Sequence, residues 1–425
     1  MLLKRTGSYQ SLQPIGPDTH AGPYIQSPKF YQCPRLYAHV GLRDCPLREY
    51  AQNLIRFIHS SDLHLGKPFG RFPEDVRARL RQARADALVR LAELARVNHA
   101  SHILLAGDTF DQTTPAPTLV RQALNAMRTA DHVKWIVMPG NHDHAGASEL
   151  WRLVMQDAPS NVSVLLTQTP HGLAEGVTLL PAPPSERHPG RDLTEWFDGV
   201  ATGEAVRIGL AHGSVTSFDS SEEGGSSVIS PDRARRAGLS YLALGDWHGQ
   251  MSVGPATWYS GAPEADGFKH LQPPAALLVE IASPSAPARV TSLPTSSITW
   301  SRTLLDLSGT EDATAAHDRL LPPLADRALT MFDLRVSGRV PGLARVKLEQ
   351  EIQRAAPDFL WHSANLTQLG SVHNTTDLDA IDRQGALRAA ADALSREATD
   401  SMLAPEQREV AEAALSQLFS YALEA

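Results

Sequence analysis

Hydrophobic and polar positions follow two rhythms along this chain. Short apolar runs at residues 57–58, 102–106, 134–138, 206–211 and 241–244 each stop abruptly in small or acidic residues, and each predicts a strand that ends in a polar loop. Residues 76–97 instead place Val76, Leu80, Ala87, Leu91 and Leu94 on one helical stripe, and a Leu- and Ala-rich helix is expected over 118–130. One more apolar strand is expected at 276–281. Alternating strand, loop and helix predict a layered α/β core with its ligands on the rim, just past the carboxyl ends of the strands.

The pattern changes near Ser301. Strands at 303–307, 329–336 and 359–369 alternate with helices at 313–324 and 343–355, which predicts a small α+β unit. The end is helical, over 381–398 and then 405–423, with Pro405 suited to a first helical turn. Ala411, Leu415, Leu418, Phe419 and Ala422 form an apolar stripe there, expected to pack on the chain's own body or to receive a partner's helices. Before residue 54 the sequence is rich in Gly, Pro, Ser, Gln and Tyr and has no periodicity; it reads as a disordered extension or as a stretch upstream of the native protein. The expected division is therefore 1–53, 54–298, 299–372 and 373–425.

Composition narrows the class. At 425 residues, 42% hydrophobic and 20% charged, the chain has the make-up of a globular protein with two or more domains. No run approaches the roughly 18 apolar residues that cross a membrane, and the first residues lack a signal-peptide core, so a soluble cytoplasmic protein is expected. Its two cysteines, Cys33 and Cys45, both precede the first predicted strand, which leaves no disulfide framework and suits a reducing compartment. The net charge of −8 argues against a general nucleic-acid coat. From Ser301 onward 19 acidic residues face 12 basic ones, so the first 300 residues are close to neutral and can still meet a phosphate. Seven arginines lie between Arg71 and Arg96; they are expected to solvate the outer face of a helix, with a phosphate-backbone contact as the alternative.

The chemistry sits where the strands end. Asp62 and His64 follow the first, Gly107-Asp108-Thr109-Phe110-Asp111 the second, and Gly140-Asn141-His142-Asp143-His144 the third. His212 and then Gly245-Asp246-Trp247-His248 follow the next two. Any one of these could be turn chemistry. Seven ligand-type residues in one topological position, Asp62, His64, Asp108, Asn141, His212, Asp246 and His248, point to a metal centre instead. Carboxylate, amide and imidazole without thiolate suit Mn2+, Fe or Mg2+ better than a structural zinc. Their number implies two ions sharing a carboxylate, about 3.5–4 Å apart, able to activate a bridging water and clamp an in-line phosphoryl displacement. The Gly/Ser-rich stretch 213–228 is expected to be a mobile loop at the site's edge. Trp247 is expected to be buried at the rim, with stacking on a nucleotide base as the alternative. No GxxxxGK[ST] loop is present, so the chain offers no nucleotide-triphosphate site of that type.

The series DLH (62–64), GDTFD (107–111), GNHD (140–143), His212 and GDWH (245–248) resembles the five motifs of calcineurin-like metallophosphoesterases, over roughly residues 55–270. FIHSSDLHLG, LLAGDTFD and WYSGAPEADGF resemble the DNA-repair exonuclease branch of SbcD and YhaO type, as does DLDAIDRQGALRAAADAL (377–394). The resemblance implies an α/β fold of four layers, a β-sandwich flanked by helices, with a small α+β capping domain over 299–372 and C-terminal helices over 373–425. It implies a partner, an SbcC-like coiled-coil ATPase that the C-terminal helices would dock. It also implies that Asp62, His64 and His248 bind a first metal, Asn141 and His212 a second, and that Asp108 bridges them. His142 matches the histidine beside the scissile phosphate that stabilises or protonates the leaving oxygen. Asp111 and Asp143 are expected to hold loops and ligands rather than to bind metal, and His144 inherits no role. The last motif normally reads Gly-His-x-His. Asp246 in the first histidine position adds negative charge, weakens the second metal as a Lewis acid and favours a hard ion such as Mn2+ or Mg2+.

The motifs themselves specify phosphoester hydrolysis. The resemblance adds a Mn2+-dependent nuclease subunit for DNA repair, exonuclease and endonuclease, with a hydroxide bridging two metal ions as nucleophile. Two other readings stay open: a small-molecule phosphodiesterase or phosphatase, and a non-catalytic scaffold whose second metal site is impaired. Polarity and preferred DNA structure, the physiological metal and a homodimeric state are not legible in the sequence.

Overall fold

The computed structural model describes residues 55–215, 228–269, 272–284, 286–308, 312–372 and 385–424. The 1–53 extension with both cysteines, most of the Gly/Ser-rich loop and the start of the helix expected at 381 lie outside the described residues.

The chain first lays down β1 (Ile55–Ser60), α1 (Glu74–Val97), β2 (His102–Ala106), α2 (Pro117–Thr129), β3 (Lys134–Met138), α3 (Ser148–Asp157) and β4 (Val162–Val164). It then builds β5 (His171–Ala174), β6 (Val177–Ala182), β7 (Val206–His212), the short pair β8 (Ser214–Val215) and β9 (Val228–Ile229), β10 (Tyr241–Gly245), β11 (Met251–Gly254) and β12 (Thr257–Tyr259). β13 (Ala275–Ile281) and β14 (Arg289–Pro294) return to the first sheet, which runs β14-β13-β1-β2-β3-β4; the second runs β11-β12-β10-β7-β6-β5. β1, β2, β3 and β4 are parallel, as are β6, β7, β10 and β12, while β13 pairs antiparallel with β1.

Strand alternation assigns each face. Ile58, Ile103, Leu105, Trp135 and Val137 turn towards α1, α2 and α3, where Leu88, Leu91, Leu124 and Trp151 meet them. Phe57, Leu104, Ile136 and Met138 turn the other way, onto Leu179, Ile208, Leu210 and Tyr241 of the second sheet. The outer face of that sheet is covered by Phe197, Ala234 and Leu239 from short helical turns. Two facing sheets with helical cover on both sides give the expected α/β layering, and near-continuous apolar strands such as HILLA follow from burial on both faces. α1 begins two residues before its first apolar stripe residue, with Glu74 and Asp75 in its first turn, where they favour the helix dipole.

The remaining strands, β15 (Thr299–Ser308), β16 (Thr330–Pro341) and β17 (Trp361–Val372), make a separate three-stranded sheet. Its crossovers carry α4 (Ala313–Leu320) and α5 (Gly342–Ala355), and all its strands are parallel, so the unit is built of consecutive β-α-β steps. Phe332, Leu334, Leu348 and Ile352 fill its core. The helix expected over 313–324 stops at Leu320, where Pro322 and Pro323 follow. α6 (Ala386–Thr399) and α7 (Pro405–Glu424) bury Ala391, Leu415 and Phe419 against Val346 of α5, so this part of the stripe packs on the chain's own body. Phe69, Phe72, Ile298 and Met331, with Phe268, Trp300 and Trp361 packed on them, join the loop after β1 to the third sheet. Among the described residues no helix is long and apolar enough to cross a membrane.

Candidate metal centre

The carboxyl ends of five strands from the two facing sheets carry the candidate ligands. The loop after β1 continues pairing with the loop after β2: Asp62 N donates to Gly107 O (3.1 Å), His64 N to Asp108 O (2.9 Å) and Leu65 N to Thr109 O (2.9 Å). Four ligand-type residues adopt positive φ, Asp62 (55°), His64 (44°), Asp108 (53°) and Asp246 (100°). Such conformations cost roughly 1–3 kcal/mol each, and they persist only where the surroundings dictate them, which is typical of functional sites. Gly107 is also at positive φ (92°), and a Cβ there would run into the His212 ring; a Cβ on Gly140 would overlap the Asp108 carboxylate. The glycines of GDTFD and GNHD are therefore required so that ligands from neighbouring loops can approach.

Three groups of ligand atoms converge: Asp62, His64 and His248; His64, Asp108 and His142; and Asp62, Asp108 and His212. Asp108 lies between two imidazoles, with Oδ2 3.5 Å from His64 Nε2 and Oδ1 3.6 Å from His212 Nε2. His64 Nε2 and His248 Nε2 face each other at 3.2 Å, and His248 Nε2 is 3.9 Å from Asp62 Oδ1. Asp246 Oδ1 is 3.8 Å from His212 Nε2 and accepts from Asn141 Nδ2 (3.1 Å). All seven candidates thus come together.

Each imidazole is oriented by its other nitrogen. His212 Nδ1 donates to Ala106 O (2.8 Å), His64 Nδ1 lies 3.1 Å from Asp111 Oδ1, and His248 Nδ1 lies 3.3 Å from Asp266 Oδ2. With Nδ1 turned to these oxygens, each ring faces inward through Nε2, the atom a metal-binding histidine offers once it is unprotonated. Among the buried atoms of the candidate ligands, His64 Nδ1, His212 Nε2 and Asn141 Oδ1 have no hydrogen-bond partner. Buried polar atoms are costly to leave unpaired, and His212 Nε2 and Asn141 Oδ1 beside carboxylates fit a divalent cation that replaces the proton on His212.

Electrostatics agree. Burial pushes the Asp108 carboxyl up to about 8 despite the nearby His212. Burial opposes charge on His212, yet Asp108, Asp62 and Asp246 outweigh it and lift the imidazole to about 9. Burial holds His64 down to about 4, against the pull of Asp111 and Asp62, and also raises Asp246. For Asp62, burial is outweighed by His248, His212 and His64, and the carboxyl is lowered. A centre that retains protons on Asp108 and His212 would give them up to a cation.

Asp143 accepts from Gly140 N (2.6 Å) and Phe110 N (2.9 Å), which ties the second and third motif loops together. His142 N donates to Asp108 Oδ1 (2.9 Å) and its Nδ1 to Asp111 O (3.0 Å). Trp247 is 52% exposed, which corrects the expected burial at the rim. Sequence reasoning groups Arg84 with solvating arginines; it is buried and donates to Leu63 O (2.6 Å) and Asp62 O (3.3 Å). Sequence reasoning also overlooks Asp266, which meets His248, Lys67 (2.9 Å) and Arg84 (3.9 Å). WYSGAPEADGF is the available signal for Asp266, and the alanines around Arg84, Ala83 and Ala87, on the buried stripe are the signal for Arg84.

Carboxylate and imidazole atoms converge at the strand ends of two facing sheets in groups able to hold metal ions, as expected of a metallophosphoesterase, a class that uses divalent metals. The chain belongs to the calcineurin-like phosphoesterase family, whose profile matches residues 55–272. It is 26% identical over 230 residues to the uncharacterized metallophosphoesterase YhaO of Bacillus subtilis (strain 168), covering 51% of this chain and 54% of that one. It is also 26% identical over 254 residues to the SbcD subunit of the SbcCD nuclease of the same organism, covering 50% of this chain and 63% of that one. The chain thus matches under two thirds of the length of either relative. TT1561 of Thermus thermophilus, a crystal structure, is matched at 15% identity and TM-score 0.36, over 56% of this chain and 99% of that one.

Proposed function

We propose that the chain is a phosphodiesterase acting on DNA, a cytoplasmic exonuclease and endonuclease subunit for repair that works with two Mn2+ ions. The observation that carries the hydrolytic part is the placement of Asp108 between His64 Nε2 and His212 Nε2, one carboxylate oxygen towards each. Asp62, His64 and His248 would hold one ion and Asn141, His212 and Asp246 the other, with Asp108 shared. When bound, the pair of ions supplies a hydroxide nucleophile at neutral pH and neutralises charge on the phosphoryl oxygens. His142 donates Nδ1–H to the Asp111 carbonyl and keeps Nε2 for the leaving oxygen; its imidazolium form would give that oxygen the Nε2 proton as the P–O bond breaks, leaving the neutral ring. Asp111 and Asp266 orient His64 and His248, and Asp143 holds the loops. DNA as substrate is supported by the SbcCD nuclease relative and by the third sheet and helices 299–424, a capping surface that a small ester would not need. The same relative supports a coiled-coil ATPase partner of SbcC type, docked by α6 and α7, and a homodimer is compatible with it.

The test is Mn2+-dependent cleavage of linear duplex and single-stranded DNA beside bis-p-nitrophenyl phosphate. Wild type should cut DNA, and His142→Ala should lose roughly 10²–10⁴-fold in kcat while retaining metal. Cleavage of the small ester alone, even with an ATPase partner added, would replace DNA by a small phosphodiester as substrate.

A further inference from the structure

Beyond the metal-type ligands, the centre opens into a cleft of about 400 Å³. Asn141 and His142 line it from the centre; Thr113, Thr114, His144 and Arg187 line it from outside. Asp111 lines it too, with its carboxylate engaged by His64. Arg187 is exposed, and among the described residues it has no acidic partner. A guanidinium keeps its charge at any working pH and presents a donor fork that matches phosphate. His144, which the five motifs leave without a role, has a buried Nδ1 with no hydrogen-bond partner.

The two halves of this wall are tied together. Ala145 N donates to Pro184 O (2.8 Å) and Gly146 N to Ser185 O (3.1 Å), so the segment bearing Arg187 is fastened to the loop bearing His142 and His144. Two threonine hydroxyls, an imidazole and an unpaired arginine give this space donors and one positive charge, directly beside His142. A phosphomonoester at the centre would leave them unused. A polynucleotide carries a second phosphate one nucleotide from the scissile one.

Resting on the phosphodiesterase reading above, we propose that this cleft is a subsite for the phosphate adjacent to the one being cleaved, with Arg187 as its charged anchor and Thr113, Thr114 and His144 as hydrogen-bonding partners. The substrate class is then a nucleotide chain with repeating phosphates. Charge-assisted contacts of this kind are the strong ones, and the anchor sets binding of the flanking unit rather than the chemical step.

Calorimetric titration of the full chain in Mn2+ with thymidine 5′-phosphate and thymidine 3′,5′-bisphosphate tests this without turnover. Wild type should bind the bisphosphate about tenfold more tightly. Arg187→Gln should reduce that gain to about threefold or less, and Arg187→Lys should restore part of it. Arg152→Gln, a control on the exposed face of α3, should keep it. Equal affinity for the two nucleotides in wild type, a gain that survives Arg187→Gln, or binding of neither nucleotide overturns the subsite. A clear gain in a protein that cuts no DNA would leave the subsite standing and remove the nuclease reading.

Discussion

His64 and His248 each turn Nδ1 to a carboxylate, Asp111 at 3.1 Å and Asp266 at 3.3 Å, whereas His212 turns Nδ1 to the carbonyl of Ala106 at 2.8 Å. The two halves of the centre are therefore supported by different chemistry. Either partner orients the ring; the carboxylate also sets a negative charge behind it. The half with His212 also carries Asp246 and the amide of Asn141, so it has one imidazole where the other half has two. On this account the half built on Asp62, His64 and His248 binds its ion more tightly, and the half built on Asn141, His212 and Asp246 is weaker and more selective for hard ions.

The residue shared by both halves carries the largest expected effect. Asp108→Asn removes charge from both halves and should lower activity by roughly a thousandfold or more, with loss of both ions measured by elemental analysis. Asp266→Asn should act on one half only: Mn2+ affinity of the tighter site falls about 10–100-fold in a calorimetric titration, while the weaker site keeps its constant. Protons on Asp108 (about 8) and His212 (about 9) must leave when metal binds, so apparent Mn2+ affinity should fall as pH drops from 9 to 7, by up to about tenfold per unit for each proton displaced. A pH-independent affinity over that range would remove those two groups from the ligand set. The smallest change is Asp246→His, which should sharpen the contrast by altering only the weaker site, with a shift of about tenfold or less in its preference between Mn2+ and Zn2+.

Most of the centre was legible because strand, glycine and ligand recur as a unit: Gly107 and Gly140 mark where neighbouring loops approach, and Asp108 and Asn141 follow at once. The strands at 102–106 and 134–138 are bounded to the residue, since burial on both faces makes 103–106 and 135–138 apolar throughout and the turn residues are unambiguous. Arg84 and Asp266 were harder. An arginine on a helix reads as solvent-facing, and only the tertiary arrangement sets its guanidinium against the carbonyls of Asp62 and Leu63. Asp266 lies outside the ligand motifs, and its value depends on the distance to His248, which no spacing encodes. Trp247 misled for the converse reason: its neighbours are buried ligands, but the ring itself leaves the sandwich.

The most direct measurement is the number and affinity of Mn2+ ions held per chain, followed by titration of the metal-free full-length protein. Two ions with distinct constants are expected, the tighter one weakened by Asp266→Asn and the weaker one by His212→Ala. A single ion per chain, untouched by changes at Asn141, His212 and Asp246, would contradict the two-ion centre and favour a scaffold over an enzyme.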